Sequence, residues 1–153
     1  MDAIEVMRKR RTVRRYTGAA VPRADLETIV DCGRLAASGR NAQPWDFIVI
    51  TDRAMITRLK IVADWIDGAG AVIAVVMDPS SRWWVEDGAA AVQNMLLAAT
   101  ALGYGACWLE GYTLRREDEL KIMLRVPAEK RLMTLVPVGV PAPAGGRNVV
   151  AWA

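Results

Sequence analysis

"SGRNAQPWDFIVITD", residues 38–52, carries three kinds of chain in succession. Ser38, Gly39 and Asn41 favour a turn, because short polar side chains compete with the backbone for hydrogen bonds and glycine tolerates any φ. Pro44 fixes the exit from that turn. "WDFIVI" is then aromatic and β-branched, apolar at odd and even positions alike, which predicts a strand buried on both faces and central in its sheet. Asp52 is placed to cap a following helix that the apolar spacing extends to about Ile66.

Upstream, Asp2 can cap a short helix reaching about Lys9, with Ile4 and Met7 turned inward. Pro22 starts a second helix, whose Leu26, Ile29, Val30, Gly33 and Ala37 keep helical spacing until Ser38-Gly39. Downstream, "AVIAVVMD" (71–78) reads as a second buried strand. A long helix follows from about Arg82 to Leu102 and stops at Gly103. "GACWL" (105–109) is a third strand, Leu114 to Leu124 a helix, and "LMTLVPVGV" (132–140) a last strand. The tail "PAPAGGRNVVAWA" is too rich in Pro and Gly for a helix. Interleaved helices and strands, with no repeat and no linker, predict one α+β domain over residues 1–153, built of mixed layers with the sheet covered on both faces.

Composition narrows the chemistry. Of 153 residues, 53% are hydrophobic, enough for a sizeable core, yet the apolar run Gly68 to Met77 falls well short of the roughly 20 residues a membrane span needs. Met1 is followed by Asp2, Glu5 and a basic cluster, unlike a secretory signal. Cys32 and Cys107 lie in apolar segments without metal-ligand spacing, as buried free thiols of a cytoplasmic protein would. There is no histidine. That removes Ser-His-Asp and Cys-His catalysis and most catalytic zinc sites, and leaves chemistry to carboxylates, tyrosines, lysines or a cofactor.

Against a net charge of only +3, "RKRRTVRRY" (8–16) packs six basic residues into nine positions. Such a run can meet nucleic acid, an acidic membrane or a single phosphate. A nucleic-acid surface would spread its cations over a face with aromatics between them; here the run is isolated and the tryptophans lie elsewhere.

Taken with that run, "SGRNAQPW" (38–45), "GAAAVQNMLLAATALGYGACWLEG" (88–111) and "LVPVGVPAPA" (135–144) resemble, in order and spacing, the nitroreductase family of FMN-dependent oxidoreductases. The resemblance covers nearly the whole chain. It implies a mostly antiparallel central sheet flanked by helices, a homodimer, and FMN at the subunit interface. Arg10, Thr12 and Arg14, on one side of an extended segment, would hold the FMN phosphate with forked donors, with Arg11, on the other side with Arg15, as a further candidate. Arg147 matches the place where the family returns a tail cation to that phosphate. Ser38, Asn41 and Gln43 would reach the ring edge and ribityl chain of the partner's flavin. Trp108, Leu109, Glu110 and Gly111 would pass the ring, with a backbone N–H of the Glu-Gly pair directed at N5. The small-residue helix would pack in the dimer core.

The function implied is transfer of hydride from NADH or NADPH to a nitroaromatic, quinone or similar acceptor by ping-pong kinetics, with no catalytic side chain and no metal. A flavin carrier or sensor without turnover, and a dehalogenase or flavin-fragmenting activity on the same fold, are the alternatives. The chain departs from larger family members at residues 64–77, too short for their flavin-covering insertion, and "SSRWW" (80–84) is the expected substitute. Its Trp83 and Trp84 could line a substrate site or a subunit contact.

Overall fold

The computed structural model describes residues 1–143, so the expectation for Arg147 lies outside the described residues. The elements are α1 (Ala3–Lys9), α2 (Arg23–Arg34), β1 (Trp45–Ile50), α3 (Arg53–Arg58), β2 (Ala71–Met77), α4 (Trp84–Ala101), β3 (Gly105–Ala106), α5 (Gly111–Arg115), α6 (Glu117–Leu124) and β4 (Arg131–Gly139). The strands form one sheet in the order β1-β2-β4-β3, each neighbouring pair antiparallel.

β2 organises the layers. Successive side chains of a strand point to opposite faces. Ala71, Ile73, Val75 and Met77 join Leu26 and Ile29 of α2 and Val92 and Met95 of α4. Val72, Ala74 and Val76 join Ile56 of α3, Leu120 of α6 and Leu132 and Leu135 of β4. All seven β2 residues are buried, and each fully buried Val or Ile contributes roughly 1.5–3 kcal/mol. The sheet is covered on both faces, as the apolar run of β2 predicts.

β1 corrects an expectation. It pairs with β2 alone and forms an edge of the sheet, with Asp46 and Val49 exposed. Its two apolar faces report layers above and below it, and say nothing about what lies beside it in the hydrogen-bonding direction. In α1 the buried residue is Val6, whereas Ile4 and Met7 are exposed. Two turns with apolar residues on several sides do not define a face.

Asp52 does cap α3, accepting the Met55 N–H at 2.8 Å. The helix nevertheless ends at Arg58 and gives way to 3₁₀ turns at Leu59–Ile61 and Asp64–Gly68. Ile56, Leu59, Val62 and Ile66 are all buried at helical spacing, which is why the sequence reads as one helix. Tertiary bonds override it: Arg53 donates to the Ala69 carbonyl at 2.6 Å and Thr57 to Asp67 at 2.7 Å, closing the segment onto the start of β2. Similarly, α2 stops at Arg34, the third strand shrinks to two residues plus a bridge at Leu109, and the helix expected over 114–124 breaks at Arg116. Cys107 is buried, Cys32 only half-buried, and both are free. No helix among the described residues is long and apolar enough to cross a membrane.

Candidate functional site

The basic segment leaves α1 as extended chain and is stitched to the β3 end of the sheet. Thr12 bridges Ala106 in parallel, the Val13 N–H donates to the Ala106 carbonyl at 3.0 Å, and Tyr16 bridges Pro141. Close approach depends on Gly105, where a Cβ would stand 2.6 Å from that of Val13. Tyr16, buried, donates to the Val13 carbonyl at 2.6 Å; burial holds its phenol well above the usual range.

Along this segment the arginines diverge. Arg11 turns back and donates to the carbonyls of Arg8 (2.7 Å) and Arg10 (2.9 Å), satisfying the end of α1. Arg14 lies against Cys107, whose thiol burial pushes up while the Arg14 charge pulls it down. Among the described residues, no carboxylate pairs with Arg10, Arg11 or Arg14.

Residues 108–111 run beside the middle of β4. Leu109 is core: its side chain is 5% exposed, and its N–H and carbonyl both bond Leu135. Its side chain and both its backbone groups are thus engaged within the protein. The Trp108 indole N–H donates to Glu110 Oε2 at 2.8 Å. Glu110 and Gly111 open α5, where backbone N–H groups have no partner within the helix.

The 38–43 loop sits at the other end of the sheet. Arg40, Asn41 and Gln43 have φ of 54°, 56° and 49°, in the left-handed region. Gln43 N–H donates to Ser38 Oγ at 3.0 Å and Gln43 Nε2 to Asn41 Oδ1 at 3.1 Å. Gly39 N–H donates to Asp87 Oδ1 of α4 at 2.9 Å. A cavity of about 580 Å³ opens beside the loop, lined by Arg40, Gln43, Ser80, Arg82, Trp83 and Lys130 among others. Arg40 and Arg82 lie 5.9 and 5.3 Å from the Trp83 ring, a cation–π arrangement, while Lys130 pairs with Asp78 at 3.3 Å. Trp83 thus lines the cavity. Trp84 stacks under Arg131 instead. Asp87 and Lys130 were not singled out by the sequence; Asp87 shares the first turn of α4 with Glu86, and nothing local distinguishes the two.

The structure brings the basic segment and residues 108–111 together along β3 and β4, but not the 38–43 loop. Trp45 is level with Met77 and Arg131, whereas Ala106 is level with Val138. Those two β4 positions lie about 23 Å apart at the rise of a strand.

The nitroreductase family model matches residues 7–64 and 58–140, which together span most of the chain. A protein of Archaeoglobus fulgidus named as an NADH dehydrogenase/NAD(P)H nitroreductase is 34% identical over 92% of this chain and 86% of its own. An iodotyrosine deiodinase of Thermotoga neapolitana is 27% identical over 90% and 87%. Among solved structures, one of the same name as the Archaeoglobus protein, from Bacteroides thetaiotaomicron, superposes with a TM-score of 0.88 at 28% identity, covering 97% of this chain and 92% of that one. A nitroreductase with bound FMN from Bacteroides fragilis superposes at 0.85 and 26% identity, covering 100% and 96%. The chain belongs to the nitroreductase family.

Proposed function

We propose that the protein is an FMN-dependent NAD(P)H oxidoreductase acting as a homodimer, each FMN held by the basic end of one subunit and the 38–43 loop of the other. The observation that carries this reading is the set of guanidiniums in the Arg10–Arg14 segment that no described carboxylate opposes, on the same side of the sheet's β4 as the start of α5 with its open N–H donors. The residues present fit the cofactor: Arg10, Thr12 and Arg14 offer charged and hydroxyl donors for a phosphate dianion. Ser38, Asn41 and Gln43 offer hydroxyl and amide groups for a ring edge and polyol. Each charge-assisted bond would contribute about 1.5–3 kcal/mol.

When bound, FMN supplies the redox chemistry, accepting hydride from a nicotinamide and delivering electrons to a nitroaromatic, quinone or similar acceptor in a ping-pong cycle. The backbone N–H groups of Glu110 and Gly111 supply preorganised dipoles for developing charge. The Glu110 carboxylate, bonded to the Trp108 indole, orients that ring and needs no proton-transfer role. Nothing in this division of labour requires a histidine. The separation of the 38–43 loop from the basic segment, about 23 Å along β4, supports the dimer, in which a second chain can bring its loop to the flavin. The free thiols Cys32 and Cys107 accord with a reducing, cytoplasmic setting.

The test is direct. Purified protein, reconstituted with FMN, is expected to be yellow, to sediment as a dimer with one flavin per subunit, and to bleach with NADH or NADPH under anaerobic conditions. Flavin that stays oxidised would make the protein a carrier, and a flavin-loaded monomer would refute the shared site. Turnover against nitro compounds, quinones and halogenated phenols then separates reductase from dehalogenase.

A further inference from the structure

Asp87 is 5% exposed and stands in the first turn of α4. One carboxylate oxygen accepts the Gly39 N–H at 2.9 Å; the other, Oδ2, is buried with no hydrogen-bond partner. A buried, half-satisfied carboxylate is unfavourable, and the positive end of the helix offsets only part of that cost. What it secures is the conformation of the 38–43 loop. Three non-glycine residues there hold left-handed φ, a state that persists only where the surroundings impose it.

The loop's own bonds, Ser38 to Gln43 and Gln43 to Asn41, tie it to itself. Its ties to the body of the protein are few. The Pro44 carbonyl accepts the Asp78 N–H at 2.7 Å on the far side, and Asp87 holds Gly39 on the near side. Trp83, one turn before Asp87, is seated directly on Gly39, where any Cβ would overlap its ring. Asp87 and Trp83 together thus fix where the turn begins, and with it the direction of Asn41 and Gln43.

We propose that Asp87 is the positioning residue that presets the 38–43 loop for flavin, acting through the Gly39 N–H without touching the cofactor. This rests on the reading that the loop contacts the ring and ribityl chain. Asp87→Asn keeps an acceptor oxygen at the same reach, whereas Asp87→Ala removes it. Dissociation constants for FMN and for riboflavin, measured by quenching of flavin fluorescence with the dimer checked by sedimentation, decide the matter. The alanine variant is expected to weaken both flavins equally, by about tenfold, the asparagine variant by less than about threefold. Alanine binding close to wild type, alanine losing FMN alone, or asparagine losing as much as alanine would each overturn the proposal. Wild-type protein that binds neither flavin would overturn the functional reading and this proposal with it. If the alanine variant does not fold, amide exchange in the flavin-free wild type decides: protection of the Gly39 N–H is expected, and exchange at the rate of an open loop refutes the anchor.

Discussion

At the β3 end of the sheet, Arg10 and Arg14 project from an extended segment stitched to Ala106, and no described carboxylate opposes them. At the β1 end, Asn41 and Gln43 sit on a loop of left-handed residues held by one buried carboxylate. The contrast follows from the groups each end presents. A guanidinium attracts a phosphate dianion over several ångströms and tolerates some play in its backbone. Amide hydrogen bonds fail within a few tenths of an ångström or some tens of degrees, so their carrier must be rigid. One end therefore relies mainly on charge, and the other on the fixed direction of its amides.

The sharpest break of that contrast is Arg10→Ala. It is expected to weaken FMN between about tenfold and a hundredfold and to leave riboflavin nearly untouched, as one lost charge-assisted bond implies. Equal losses for both flavins would make the arginine a prop for the fold. Titrations of the two flavins by fluorescence read this directly.

Gly105→Ala tests the stitching. The added Cβ would meet Val13 Cβ at 2.6 Å, a branched carbon fixed to backbone, so the basic segment must move off β3. A loss of about 1–3 kcal/mol is expected, several degrees in Tm by calorimetry. An unchanged Tm would show that the segment is held elsewhere.

The anchored end should also be the acid-sensitive one. Glu117 accepts both Arg131 donors at 2.8 Å and the Leu132 N–H at 3.0 Å, at the β4 terminus level with Trp45. The Arg131 bonds above all hold its carboxyl below the usual range, against an opposing effect of burial. A lowered folded-state pKa gives stability that is complete above the unfolded value, near 4.3, and is lost as pH falls through the folded one. Part of the stability should therefore disappear as pH falls below about 5, and Glu117→Gln should remove that part of the pH dependence. Denaturation midpoints across this range measure it.

The smallest effect concerns Glu110. Because its carboxylate already serves the Trp108 indole, Glu110→Gln should slow flavin reduction by less than about tenfold, roughly 1.4 kcal/mol. Gly111→Pro should slow it more. Position 111 opens α5, and proline there deletes an N–H and also disfavours the αR conformation of Glu110 before it. Stopped-flow bleaching with FMN confirmed bound compares the two. A thousandfold loss in the glutamine variant would make Glu110 catalytic.

Local chemistry was legible without the fold. The apolar run "AVIAVVM" fixes a strand buried on both faces, the small-residue run ending at Gly103 fixes α4, and the density of arginine between residues 8 and 15 raises the expectation of an anion site. Asp2 and Asp52 cap as their positions suggest, because a cap depends on neighbours three residues away. The order of motifs was enough to indicate the family.

Other features were decided only when distant segments met. That β1 is an edge depends on which strands lie beside it, and side-chain pattern records only what lies above and below. The break of α3 depends on Arg53 and Thr57 finding Ala69 and Asp67. The partner of Asp87 is Gly39, 48 residues earlier, and the bonds that pin Leu109 come from Leu135. Above all, the resemblance assigns two groups of candidate residues to the flavin, and the fold sets those groups at different levels of the sheet. Hydrogen-bond partners remote in sequence leave no periodic trace, so no local reading could have placed them.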